Sequence, residues 1–153
     1  MPEFETKVAS VDDAEVIAGL LDDFNIEFET ESPGVAVLAA RLRCLLGGPA
    51  VFAVVAGAPA VSVALVTLRP SVWYDGAVAT LDEMYVVPTL RGRGIGSAVL
   101  RRGMDECALR GVDSVEINVD ESDFDAARFY RRHGFIDTDP STNDKAFYFF
   151  KEL

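Results

Sequence analysis

A glycine-rich turn that follows an apolar run is the feature of this sequence best suited to chemistry. The apolar run is Met84–Val87, Pro88 ends it, and the segment Arg91–Ser97 then reads RGRGIGS. Backbone N–H groups in such a turn, with the start of a following helix, present partial positive charge to an anion. The turn therefore predicts a phosphate-binding site. Its glycines allow close backbone approach and its arginines add full charges; these residues are Arg91, Gly92, Arg93, Gly94 and Gly96.

The two commonest phosphate loops do not fit this turn. A Walker loop requires Lys-Ser or Lys-Thr after its last glycine, whereas Gly96 is followed by Ser97 and Ala98. The dinucleotide fingerprint G-x-G-x-x-G fails because Ser97 occupies its last place. What remains is the spacing Arg91-x-x-Gly94-x-Gly96, placed after a strand that ends in Val-Val-Pro.

Hydrophobic periodicity and turn residues predict the elements that position the turn. The predicted strands are Phe4–Ala9, Ala50–Ala56, Ala60–Leu68, Ala77–Val87, Val112–Val119, Phe135–Asp137 and Lys145–Lys151, and the predicted helices are Asp12–Phe24, Val35–Leu46, Arg93–Arg110 and Ser122–His133. This order predicts an α/β fold with a mixed, mostly antiparallel sheet of about seven strands. One central βαβ unit supplies a parallel pair, and its crossover helix follows the glycine turn.

Length and composition bound the class of protein. A chain of 153 residues is expected to form a single domain over residues 1–153. No apolar run reaches the ~20 residues of a membrane span, and the N-terminus lacks the order of a signal peptide, so we expect a cytoplasmic protein without membrane association. Cys44 and Cys107 lie in no metal-ligand or disulfide pattern, so neither a metal nor a disulfide is expected.

The charge distribution separates an acidic protein from a neutral, arginine-rich segment. The net charge of −11 argues against nucleic-acid binding. Between Arg91 and Arg132 there are eight Arg and eight Asp or Glu, so the excess negative charge lies outside this segment. A neutral segment of this kind suits the approach of an anionic ligand. Ten acids fall in the first 31 residues, and solubility explains them as well as function does.

Two motifs, together with the element order, resemble the GNAT superfamily of N-acetyltransferases. The family's central motif is an Arg or Gln, two residues, Gly, one residue, and Gly or Ala, which matches the turn above. A later stretch resembles the family's A-x-x-x-Y-x-x-x-G-F segment. The sequences around LDEMYVV and FYRRHG resemble those of the diamine or polyamine N-acetyltransferase branch. The residues that carry the later stretch are Ala126, Tyr130, Gly134 and Phe135.

The resemblance implies a GNAT fold, with helices on both sheet faces and a parallel pair splayed at a cleft for acetyl-CoA. It implies that the pantetheine arm pairs with the backbone at Met84–Val86 and that the pyrophosphate lies on the N–H groups of Gly92–Ser97. Family members often carry Asn where this chain has Asp123, so Asn118 is a substitute contact. The implied cofactor-binding residues are Met84, Tyr85, Val86, Arg91, Gly92, Arg93, Gly94, Ile95, Gly96, Ser97, Asn118, Asp123 and Ala126.

Direct acetyl transfer to an amine needs a base, because a free alkylamine has a pKa of ~10. Asp82 and Glu83 are candidates, since they stand in an otherwise apolar strand where an unpaired charge is costly. A regular strand points them to opposite faces, and a bulge would change which one faces the acceptor. We favour Glu83 slightly. Pairing of either acid with an arginine or a backbone group is the alternative interpretation.

The reaction also needs an oxyanion donor and an acid for the departing thiolate. A strand N–H near Met84 is the candidate for the first. The resemblance implies Tyr130 as the proton donor, and packing of an aromatic helix residue is the alternative. The resemblance implies that the first two helices and their loop line the acceptor site, where acids would favour a cationic acceptor such as a polyamine, an aminoglycoside or a peptide amine. These acids are Asp22, Asp23, Glu27, Glu29 and Glu31.

Two other functions stay open at this point. The alternatives are a protein or peptide amine acetyltransferase and a non-catalytic acyl-CoA-binding regulatory module. Tyr130 and the two strand carboxylates argue against the regulatory module. The resemblance also fits a homodimer, because dimers are frequent in the family.

Overall fold

The computed structural model describes residues 4–153. The chain divides into two compact units, Met1–Glu116 and Ile117–Leu153, called here the sheet unit and the C-terminal unit. The expectation of a single domain over residues 1–153 stays a prediction.

The sheet unit holds the strands and the first three helices, and the C-terminal unit holds the fourth helix. The strands are β1 Thr6–Val8, β2 Val51–Ala56, β3 Ser62–Arg69, β4 Ala77–Val86 and β5 Val112–Glu116. The helices are α1 Ala14–Glu27, α2 Val35–Leu46, α3 Ile95–Leu109 and α4 Phe124–Arg132, and short 3-10 turns cover Val11–Asp13 and Pro88–Leu90.

The strands lie in the order β1-β2-β3-β4-β5. The first three pairings are antiparallel, and β4 pairs with β5 in parallel, as a βαβ unit with α3 as its crossover requires. The mixed sheet and its single parallel pair are therefore confirmed.

Side-chain alternation along the strands assigns the helices to two faces. Ala53, Val55, Val63 and Tyr85 form one buried cluster with residues of α1 and α2. Phe52 points to the other face, where the guanidinium of Arg110, just after α3, lies 4.6 Å from its ring centre. The core strands are buried on both faces, which explains their nearly continuous apolar sequence.

The prediction of about seven strands is wrong, because residues 4–153 form a sheet of five strands. The predicted strands Phe135–Asp137 and Lys145–Lys151 are absent, and only an isolated bridge joins Thr138 to Lys145. Aromatic residues give the last segment strand propensity, but a strand also needs a hydrogen-bonded partner. The aromatic side chains of this segment are exposed; they are Phe147, Tyr148, Phe149 and Phe150.

Several predicted boundaries also change, among them those of α3, β5 and α4. Helix α3 starts at Ile95 rather than Arg93, because Gly94 has φ +81° and cannot be part of a right-handed helix. Strand β5 ends at Glu116 instead of Val119. Helix α4 starts after Asp123, whose side chain accepts the N–H of Ala126 as its N-cap, so the cap is not Ser122.

Helix α1 ends in a Schellman motif with an unusual residue. The N–H of Thr30 bonds the carbonyl of Asn25, and the N–H of Glu29 bonds that of Ile26. This motif places one residue in the left-handed region, usually glycine, and here Glu29 occupies it with φ +53°.

Candidate active site

Strand β4 has an open edge beside the parallel pair. Its pairing with β5 ends at Thr80, opposite Glu116, although β4 continues for six residues to Val86. Among the described residues no strand pairs with this later part on the β5 side. An extended ligand can therefore add to the sheet here through backbone hydrogen bonds.

The alternation of hydrogen bonds decides which backbone groups face the open edge. The N–H of Val87 bonds the carbonyl of Val61, so Tyr85 exchanges its bonds with Val63 on β3. The carbonyl of Tyr85 also accepts the hydroxyl of Ser62 at 2.8 Å. Met84 and Val86 are therefore the residues whose N–H and C=O groups point towards the open edge.

A β-bulge at Asp82 changes the expected direction of the two strand acids. Leu65 is opposite Glu83, and the next residue, Val66, is opposite Leu81, so Asp82 is an extra residue in β4. Thr67 lies on the same face as Leu65, and its hydroxyl donates to the carboxylate of Asp82. The two acids therefore face the same side of the sheet, the side that carries α1 and α2, instead of opposite sides.

The Glu83 carboxylate is partly buried and lies next to a second acid. Its side chain is half-buried, and burial raises its pKa, with a further increase from the negative charge of Asp82. Among residues 4–153, no hydrogen bond or ion pair to the side-chain carboxylate of Glu83 is found. Asp82 differs, because it is exposed and accepts a bond from Thr67.

The glycine turn carries the backbone geometry expected of an anion site. Gly92 and Gly94 have φ of +76° and +81°, and a Cβ on either would meet no heavy atom within 4 Å. Gly94 is the N-cap of α3 and supplies no side-chain oxygen to the first N–H groups of the helix. The turn therefore needs glycine for its backbone angles, and its surface is free of steric obstruction at these positions.

Arg91 lies against the end of α1 and the end of β4. Its Nη2 is 2.8 Å from Oε2 of Glu27, and its Nε donates to the carbonyl of Val86 at 2.9 Å. Its guanidinium also lies 5.5 Å from the ring centre of Tyr85. The carboxylate of Glu27 therefore offsets the charge that the sequence led us to expect at the turn.

A depression of about 450 Å³ lies beside the start of α3. Three arginines line it, and Asp105 is the acidic residue among the lining groups. Its full lining is Phe4, Thr6, Arg93, Gly94, Ile95, Ala98, Arg101, Arg102 and Asp105.

The remaining expected site residues belong to the C-terminal unit. Tyr130 is buried, and its ring packs against Phe129 and Phe135 at 5.2 and 5.6 Å between ring centres. Asp123 caps α4 by accepting the N–H of Ala126 at 3.0 Å, and Asn118 is exposed after β5. Asp123 and Ala126 thus have a structural role, and their contact with a cofactor stays a prediction.

Some site features could not be found from the sequence. Thr67, Ser62 and Glu27 each hold a residue of β4 or of the turn, but each looks like an ordinary strand or surface residue in the sequence. Of the other α1 acids, Asp22 accepts the hydroxyl of Ser32 at 2.5 Å. Contacts between distant segments carry no local signal.

Residues 4–153 offer neither a metal-ligand cluster nor a helix suited to crossing a membrane. Residues 4–153 contain no group of three or more His, Cys, Asp or Glu side chains arranged to hold a metal ion. No helix in this part of the chain has the length and apolar character needed to cross a membrane.

Comparison with known proteins identifies the family. The model of the acetyltransferase (GNAT) family matches residues 17–135, which is most of the chain. The chain therefore belongs to the GNAT acetyltransferase family. The resemblance to this family that the sequence indicated is confirmed.

Similar proteins agree with this assignment. The structure of a protein from Arthrobacter sp. FB24, provisionally assigned as an acetyltransferase, is 43% identical and superposes with a TM-score of 0.91, covering 97% of this chain and 96% of that one. An aminoglycoside acetyltransferase from an uncultured soil sample, solved with sisomicin, shares the fold with a TM-score of 0.79 at 17% identity, over 98% of this chain and 96% of that one.

Curated relatives match over a shorter segment. An uncharacterized N-acetyltransferase of Methanocaldococcus jannaschii is 40% identical over 58 residues, and a mycothiol acetyltransferase of Clavibacter michiganensis is 38% identical over 63 residues. These segments cover 38% and 41% of this chain, but only 26% and 21% of the relatives' own length.

Proposed function

We propose that the chain transfers an acetyl group from acetyl-CoA to a primary amine by direct attack, with a small cationic amine as the acceptor. The observation that carries this proposal is the open edge of β4 between two features. Glu83, a half-buried carboxylate with a raised pKa, lies at one end, and the glycine turn lies at the other.

The donor is expected to bind along the open edge. The amides of the pantetheine arm would pair with the exposed backbone groups of Met84 and Val86, while Tyr85 is already bonded to β3. The pyrophosphate would lie on the turn, where backbone N–H groups and the start of α3 favour an anion. The residues of the turn fit this ligand because the left-handed glycines present no side chain.

The chemistry requires three proton and charge steps. Glu83 takes a proton from the attacking amine, directly or through water, and burial makes its carboxylate a better base. The N–H of Met84 stabilises the thioester oxygen as it gains charge. As the new C–N bond forms and the C–S bond breaks, Tyr130 donates a proton to the sulfur.

A cationic acceptor fits the acids on the α1/α2 side. Asp82 and Glu83 face that side together, and Asp23 of α1 and Glu31 after it are exposed acids. The aminoglycoside acetyltransferase with this fold offers a parallel, although at 17% identity the likeness is one of fold alone. The polyamine branch, a cytoplasmic location and a homodimer stay predictions.

The test is a product assay with a panel of amines. Polyamines, aminoglycosides, a lysine peptide, an N-terminal peptide amine and acidic amines would each be incubated with acetyl-CoA. Products would be followed by mass spectrometry, because the exposed thiol of Cys44 would react with thiol reagents. We expect acetylation of the cationic amines, and a loss of about 10²- to 10⁴-fold in E83Q.

Each contrary outcome has a defined meaning. Acetylation of only neutral or acidic amines contradicts the acceptor class. A preference for peptide amines would support the alternative function, that of a protein or peptide amine acetyltransferase. Tight acetyl-CoA binding without turnover across the panel indicates a regulatory module and overturns the proposed reaction.

A further inference from the structure

At the open edge of β4, the carbonyl of Val86 already accepts a hydrogen bond from a side chain. Val86 and Met84 alone in this stretch after the bulge direct their backbone groups to that edge, as the pairing with β3 requires. The Nε of Arg91 donates to the Val86 carbonyl at 2.9 Å. The groups left for a ligand are therefore the N–H and C=O of Met84 and the N–H of Val86.

We propose that Arg91 is a positioning residue that fixes the register in which an extended acyl-pantetheine arm pairs with β4. It does so by occupying the Val86 carbonyl as a hydrogen-bond acceptor, and Glu27 holds its guanidinium in place. This inference rests on the proposed function. It assigns to Arg91 a role different from direct binding of the pyrophosphate.

Register matters because strand pairing allows slips of two residues. Such a slip would move the thioester by about 6.6 Å along β4, since each residue spans about 3.3 Å. A slip towards the turn needs the carbonyl of Val86, and a slip the other way meets the bulge at Asp82. Both slipped pairings of the arm are therefore disfavoured, and one register remains, in which the thioester lies near Glu83.

The guanidinium of Arg91 is held by more than one contact. Its Nη2 lies 2.8 Å from Glu27, and the ring of Tyr85 lies beneath it. Phe24, one turn before Phe28, stacks on Phe28 with ring centres 5.1 Å apart, and its ring packs against that of Tyr85 at 5.3 Å with a tilt of 58°. The last turn of α1 is thus fixed to the end of β4, and it carries the carboxylate that orients Arg91.

The R91K substitution distinguishes an effect of the positive charge from an effect of the arm's register. R91K keeps a cation that can pair with Glu27, but it lacks the guanidinium Nε–H that reaches Val86. We expect kcat to fall between about tenfold and a hundredfold, because a small misplacement of reacting atoms has an effect of that size. The affinity for coenzyme A, measured by calorimetry, should change much less than kcat.

Variants of Glu27 test how the guanidinium is held. E27A should lower kcat in the same way as R91K, and E27Q should restore most of it because the amide oxygen still accepts from Arg91. The matched control is E15A on the same helix, since Glu15 forms a 3.5 Å pair with Arg43 in which both side chains are largely exposed. E15A should leave kcat and both KM values unchanged.

The outcomes separate this inference from the proposed function. If the unaltered protein neither binds coenzyme A nor acetylates an amine, the proposed function fails. If it turns over and R91K has the same kcat, the register role of Arg91 is wrong. If R91K loses rate but E27A does not, the part assigned to Glu27 is wrong. A rise in the amine KM without a change in kcat in E27A and E27Q would make Glu27 an acceptor-binding residue and overturn its holding role.

Discussion

The G94A substitution tests the left-handed backbone conformation of one glycine in the turn. Gly94 has φ +81° and ψ 5°, and a Cβ there would meet no heavy atom within 4 Å. The expected cost of G94A is therefore a backbone cost, about 1–2 kcal/mol for an L-residue in the left-handed region.

This cost must appear in folding or in binding. If alanine keeps the left-handed angles, the free energy of unfolding falls by about 1–2 kcal/mol. If the turn relaxes instead, the coenzyme A complex must restore the angles, and its affinity falls by about 5- to 30-fold, since 1.4 kcal/mol is tenfold. The two losses together should reach about 1–2 kcal/mol.

The assay combines urea unfolding with calorimetric titration of coenzyme A. G103A is the control, because Gly103 lies inside α3 and its Cβ position is also open. It should raise the free energy of unfolding by up to about 1 kcal/mol without changing the affinity for coenzyme A. Combined losses near zero in G94A, or equal affinity changes in both variants, would refute the reasoning.

Three further predictions concern the acids and the proton donor. In D82N, the pKa of Glu83 should fall because a neighbouring negative charge is removed, so the acidic limb of the pH profile of kcat/KM should move to lower pH; an unmoved limb would exclude Glu83 as the base. E29G should raise the free energy of unfolding by about 0.5–1 kcal/mol in thermal or urea denaturation, because Glu29 holds φ +53° at the end of α1; no gain would argue against strain there. In Y130F, kcat should fall by about 10²-fold while the affinity for acetyl-CoA is kept, and unchanged turnover would remove Tyr130 as the proton donor.

The part of the site formed by one continuous segment could be predicted from the sequence. Residues 84–97 contain the strand end, the proline and the glycine turn in order, and each has a strong local preference. The parallel pairing of β4 with β5 also followed from the sequence, because a strand, a helix and a second strand in succession favour it.

The bulge could not be predicted, because it depends on register between two strands. The sequence around Asp82 and Glu83 alternates no differently from a regular strand, and the extra residue appears only when Leu65 and Val66 are paired with β4. The result is that both acids face one side, whereas the sequence suggested one on each side.

The direction of Arg91 is the second feature without a local signal. Its charge and the family motif assigned Arg91 to the turn, but its partners come from α1, 64 residues earlier, and from the end of β4. The closing strands failed for the opposite reason. The aromatic segment 147–150 has strand propensity, and propensity does not supply a pairing partner.

An NMR titration of ¹⁵N-labelled protein with acetyl-CoA tests the central claim most directly. The account predicts saturable shifts of the Met84 and Val86 amides and of the amides from Gly92 to Ser97, while the Tyr85 amide, bonded to β3, is protected from exchange before and after binding. Saturable shifts confined to other parts of the chain, or no saturable shift, would contradict it.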